Sequence, residues 1–203
     1  MISSDPNGLA AIDHPSCAAA IWTRSPLETF QAWLDSLAPH QLPQARLVLK
    51  PQRVYEALVE ATRTCDVSAS HEHAMLVEDA SALASMFAAV TGATYIKLRL
   101  EQRVASGAGA YQAAPEQPRL ICTYRGAGLQ YGTSIAGAAP KRVSSVPTSA
   151  VIVLRGTRAP YAIGCNLMHR TPPLDEGADI RFALVIDPAP DPEAAIRPLT
   201  TYH

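Results

Sequence analysis

Tyr95-Ile96-Lys97-Leu98-Arg99-Leu100-Glu101 is where the periodicity of this chain changes. Before Gly92 apolar residues recur every three or four positions. From Tyr95 onward they alternate, with Ile96, Leu98 and Leu100 on one side of a strand and Tyr95, Lys97, Arg99 and Glu101 on the other. Three helices are predicted upstream. Ser25-Pro26-Leu27-Glu28 resembles an N-cap with a first-turn proline, after which Leu27, Phe30, Trp33, Leu34 and Leu37 form an apolar stripe ending before Pro39. A second helix is expected from Pro51 to Thr64, and a third from His71 to Val90 with Gly92 as its stop.

Downstream, strands are expected at Arg119 to Tyr124, Ala150 to Leu154, Ala162 to Leu167 and Ile180 to Ile186, separated by turn-rich segments such as Gly126-Ala127-Gly128 and Thr171-Pro172-Pro173. Strands so closely spaced, without helical pattern between them, argue for an antiparallel sandwich or barrel. The expected class is α+β in a single domain over 1–203: 1–92 mainly helical, 93–187 β-rich, and 188–203 an extended, proline-rich tail.

Composition narrows the function. The 203 residues carry 17 Lys+Arg against 18 Asp+Glu, so no basic excess exists to gather nucleic acid or an anionic membrane surface. No leader pattern is visible, and no uninterrupted apolar run approaches the ~20 residues of a membrane span. The expected address is the cytoplasm. Cys17, Cys65, Cys122 and Cys165 form no C-x-x-C pair and read as reduced thiols. Phosphate-cradling loops, a dinucleotide fingerprint, a G-x-S-x-G elbow and an H-E-x-x-H pair are all absent.

Two clusters carry chemistry. In Arg119-Leu120-Ile121-Cys122-Thr123-Tyr124-Arg125-Gly126, alternation puts Arg119, Ile121, Thr123 and Arg125 on one face and Leu120, Cys122 and Tyr124 on the other. His169, closing one strand, and Arg181, opening the next, are placed to meet in a barrel mouth. A third cluster, His71-Glu72-His73 with Cys65, is not read as a metal site. On one helix His71 and His73 diverge by about 200°, and the segment reads as a solvated helix start with Glu72 suiting the dipole.

The strings C-T-Y-R-G (Cys122 to Gly126), Val146-Pro147-Thr148, Arg155-Gly156 and His169-Arg170-Thr171-Pro172-Pro173 resemble a bacterial family, domain of unknown function 1826, from about Ile21 to Asp187. The resemblance implies a metal-homeostasis setting, and a double-stranded β-helix (a jelly roll, cupin-like) similar to iron(II) and 2-oxoglutarate dependent oxygenases. Iron there is held by two imidazoles and a carboxylate, and the oxoacid by a bidentate arginine. By that resemblance His169 matches the distal metal ligand and Arg181 the carboxylate clamp. The first imidazole and the carboxylate fall on Gln112 and Ala114, with Glu116 two positions beyond.

The expected function is therefore a non-catalytic binder of a small carboxylate or an accessory factor, with Arg181, Arg125, Thr123 and Tyr124 as ligand-binding residues. The alternatives are an active iron and 2-oxoglutarate enzyme with a remodelled metal site, and a protein-interaction module.

Overall fold

The computed structural model describes residues 1–67, 69–104, 109–134, 138–157, 166–173 and 180–192. Strict alternation in the central strands organises these residues. β4 (Tyr95–Val104), β6 (Arg119–Arg125) and β11 (Ile180–Ala189) lie side by side and antiparallel, with β11 in the middle. Ile96, Leu98 and Leu100 of β4, Leu120, Cys122 and Tyr124 of β6, and Phe182, Leu184 and Ile186 of β11 all enter one apolar core. The opposite faces carry Arg99, Arg119 and Arg181 toward a second sheet.

The major sheet has seven strands, in the order β1-β2-β9-β6-β11-β4-β3. Its remaining members are β1 (Ile2–Ser3), β2 (Ala19–Trp22), β3 (Ala45–Leu49) and β9 (Val151–Leu154). Only the β1/β2 pairing is parallel. The minor sheet runs β5-β10-β7-β8, from β5 (Gln112–Ala113), β7 (Gln130–Thr133), β8 (Ser144–Ser145) and β10 (Leu167–Arg170), all antiparallel.

Helices cover the outer face of the major sheet. α1 (Glu28–Ser36) buries Phe30 and Leu34, and α2 (Val54–Ala61) buries Val54 and Leu58. α3 (His71–Thr91) is capped by the Ser70 hydroxyl, which accepts from the His73 amide, and stopped by Gly92 at φ 67°. It is long and apolar enough by length and composition to cross a membrane. Here Leu76, Val77, Ala80, Leu83, Ala84 and Phe87 sink into the helix-side core; full burial of a Leu or Phe side chain contributes about 1.5–3 kcal/mol. The second core, between the sheets, is built from Ile21, Ile121, Leu129, Val146, Ile152, Leu154, Leu167 and Val185.

Several expectations are corrected. Residues 1–92 also supply β1, β2 and β3 to the major sheet, strands that were not expected beside the helices. Ala19-Ala20-Ile21-Trp22 is too short a run to show a period, and in β3 only Arg46 and Val48 turn outward, as on an edge strand with one covered face. The N-cap of α1 is Leu27, without a side-chain hydrogen bond, rather than Ser25. The second helix ends at Ala61, with a 3-10 turn over Pro51–Arg53 before it. The strand expected from Ala162 to Leu167 lies mostly outside the described residues, and the described strand is Leu167–Arg170. β11 carries the sheet to Ala189, so the expected tail begins later than 188, and its positions from 193 lie outside the described residues.

One irregularity decides which residues reach which face. Across β11 and β6 the register shifts between Phe182, opposite Arg125, and Ala183, opposite Thr123. The bulge inserts one residue into β6 and reverses the facing of the residue after it. Arg125 therefore turns toward the helices, where it donates to the carbonyls of Leu34 and Leu37 at the end of α1. Gly126 comes next at φ 81°, and a Cβ there would sit 2.9 Å from the Ile180 carbonyl oxygen. Gly126→Ala should lower stability by about 1–3 kcal/mol. Chemical denaturation checks this, and a variant as stable as the parent would show that the turn is not under that constraint.

Candidate functional site

Between the sheets lies a cavity of about 270 Å³. Its walls combine the polar faces of β4 (Arg99, Glu101, Arg103), β6 (Arg119) and β11 (Arg181) with Gln112 of β5 and His169 and Arg170 of β10. Ile121, Leu129 and Val185 give it an apolar floor continuous with the inter-sheet core.

Arg181 is 6% exposed. Its guanidinium donates to the Thr123 hydroxyl at 2.8 Å and to the Ala127 carbonyl at 3.2 Å, both neutral acceptors. Burial, reinforced by the positive charge of Arg103 and opposed by Glu101 and Cys122, pulls its pKa down to about 10. Arg99 and Arg119 share one carboxylate: Asp187 accepts from Arg99 at 2.9 Å and from Arg119 at 2.5 Å. Arg170 donates to Gln130 and lies 4.5 Å over the Tyr111 ring.

His169 is buried directly across the ladder from Gln112, with Tyr131 on its other side. Its Nδ1 is buried with no hydrogen-bond partner. Burial first, and the nearby charge of Arg119 second, lower its pKa below the usual histidine value; a hydrogen bond to the Gln112 backbone acts the other way. The imidazole is thus biased toward its neutral form.

The expected site residues separate into two groups. Arg181 and His169 both line the cavity, and Thr123, buried behind the lining, accepts from Arg181. Tyr124 and Arg125 do not join them. Tyr124 points to the helices, as alternation requires, and its hydroxyl donates to Asp79 at 2.7 Å. Arg125 follows it because of the bulge. On that helical side Arg24 clamps Asp79 with both terminal nitrogens, and its Nε donates to the Ser149 carbonyl at 2.7 Å. Cys122 is buried beside Arg24, where desolvation pushes its thiol up to about 12. So Cys122, Tyr124 and Arg125 lie on the helix side of the sheet, and Thr123 is on the opposite side, bonded to Arg181.

Gln112 lines the cavity and Ala114 is buried. An iron centre of the expected kind needs two imidazoles and a carboxylate on one face. Among the described residues no three His, Cys, Asp or Glu side chains converge, and an amide opposite a lone His169 does not make that set. The donors among the described residues do not fit iron.

The family described as "Protein of unknown function (DUF1826)" matches residues 3–187. The chain belongs to that family. No curated protein matches it in sequence. Among solved structures, the DUF1826 chain is similar to dioxygenase for auxin oxidation 1 from Arabidopsis thaliana, in a complex with 2-oxoglutarate. That likeness covers 93% of this chain and 90% of the other, with TM-score 0.55 and 9% identity. The dioxygenase for auxin oxidation from rice is similar over 94% and 80% of the two chains, with TM-score 0.50 and 12% identity. At such identities the likeness is one of fold.

The sequence reading missed most of the arginine lining in this DUF1826 chain. Its signal was the charged face Arg99, Glu101, Arg103 on a strand whose other face is wholly apolar, next to Asp187 at the end of another such strand. It also mistook His73 for a solvated residue. His71 is exposed, but His73 is buried, and its Nε2 lies 2.9 Å from the Thr62 hydroxyl, which itself donates to the Leu58 carbonyl.

Burial lowers the His73 pKa below 6.5. The unfolded imidazole therefore takes up a proton near pH 6.5 while the folded one stays neutral to lower pH, so acid favours unfolding. This contribution is intact above pH 6.5 and is lost as pH falls below it. Denaturation free energies measured from pH 7 to 5 should fall less steeply in His73→Gln than in the parent, and parallel profiles would contradict this assignment.

Proposed function

We propose that this DUF1826 chain is a non-catalytic relative of 2-oxoglutarate oxygenases that keeps their double-stranded β-helix and binds a small carboxylate between its sheets. The observation that carries this reading is Arg181, a guanidinium 6% exposed whose hydrogen-bond acceptors are both neutral. A buried guanidinium whose hydrogen-bond acceptors among the described residues are all neutral, with only the field of Glu101 to offset it, is costly. A carboxylate entering the cavity offsets that cost through charge-assisted hydrogen bonds, with the Thr123 hydroxyl beside it. The cavity volume is at the small end of ligand sites, which suits a metabolite rather than a nucleotide or peptide. An accessory role in metal homeostasis, in the cytoplasm, is the proposed setting; the metal connection rests on the family resemblance alone.

One observation favours a second reading. The buried Nδ1 of His169 has no partner, as expected of an imidazole reserved for a metal. That reading needs further ligands from outside the described cavity wall, and the carboxylate reading needs none.

A melting-temperature screen separates the two. At a ligand concentration near 100 times Kd, linkage gives about 2.7 kcal/mol, or roughly 5–10 °C for a chain of this length. Four- to six-carbon dicarboxylates should produce such a shift in the parent and none in Arg181→Gln. No response anywhere in the panel would overturn the proposal. Tight anaerobic binding of one equivalent of iron(II), lost in His169→Ala, would replace it with the enzyme reading.

A further inference from the structure

The carboxylate reading leaves open why the His169 end of the cavity is as cationic as the Arg181 end. Five arginines line the cavity: Arg99, Arg103, Arg119, Arg170 and Arg181. Among the described residues only two carboxylates serve them, Glu101 in the wall and Asp187 behind Arg99 and Arg119. Among the described residues the ion pairs of these arginines thus run to two carboxylates, and Arg99 and Arg119 share one of them.

The shared carboxylate has a definite place. Asp187 gives one oxygen to Arg99 and the other to Arg119, so a single negative charge holds two guanidinium groups. The buried Nε of Arg99 has no partner. The charge of Arg119 also acts on the neighbouring imidazole of His169. A divalent cation brought to His169 would meet that same field and be repelled by it. A carboxylate would be attracted, and would find unused guanidinium donors at that end as well as at Arg181.

We infer that Arg119, together with Arg99, supplies at the His169 end the positive charge that a metal ion supplies in a metal-dependent site, so that the cavity takes a di- or tricarboxylate directly, guanidinium to carboxylate at both ends. The inference rests on the carboxylate-binding reading and narrows it to ligands with at least two negative charges, bound without metal.

Isothermal titration calorimetry on the full chain tests this, with pyruvate, succinate, 2-oxoglutarate and citrate, each with and without a chelator. Affinity should rise from the monocarboxylate to the dicarboxylates by about tenfold or more and be unchanged by chelator. Arg119→Gln should lose most of that preference for the second charge. Arg119→Lys, which keeps the charge and guards against a folding defect, should retain much of it. Equal affinity for pyruvate and succinate would overturn the inference. Dicarboxylate binding that vanishes in chelator and returns with iron(II) would also overturn it, while leaving carboxylate binding in place. Silence toward every ligand in every buffer would remove the carboxylate reading itself.

Discussion

Asp187 stands on β11 of the major sheet and holds an arginine on the strand to either side, Arg99 of β4 and Arg119 of β6. All three groups are partly withdrawn from water, so the register of three strands is tied to one carboxylate. A slip of one residue in any of them would send a charge into the helix-side core and an apolar residue toward the cavity. The two-faced character of the fold depends on this. One side of each central strand is apolar enough to seat α1 and α3, and the other is charged enough to leave a space that apolar packing does not close.

The same two-sidedness divides the family's signature string. Cys122 and Tyr124 face the helices, where Asp79 receives both the Arg24 guanidinium and the Tyr124 hydroxyl. Thr123 is on the opposite side and accepts from Arg181, which lines the cavity. Arg125 would have joined Thr123 by simple alternation, but the bulge turns it to the end of α1, where it donates to the carbonyls of Leu34 and Leu37. Adjacent letters of one string thus make contacts on opposite sides of the sheet.

The contrast with a metal-dependent site is one of charge. Iron chemistry needs neutral imidazoles and an anionic carboxylate gathered around a cation. This cavity instead gathers cations around a space, with Gln112 opposite His169 and Ala114 buried nearby.

Alternation was legible in the sequence wherever a strand was long and two-faced: Tyr95 to Glu101, Arg119 to Tyr124 and Ile180 to Ile186 are all strands here, and α3 begins at His71 and stops at its Gly92 signal. Arg181, Thr123 and His169 were legible as candidates because polar groups on such strands interrupt an apolar rule. The two-residue strands, and β2 with four residues, were not legible, since a period cannot be read from so few positions. The facing of Arg125 and the burial of His73 depend on a bulge and on a neighbouring helix, neither of which is written in local pattern. The sequence by itself determined which strands would have a polar face. Only the tertiary structure decided that three of those faces stand side by side against a second sheet, because sheet order and register are set by long-range pairing and not by the residues of any one strand.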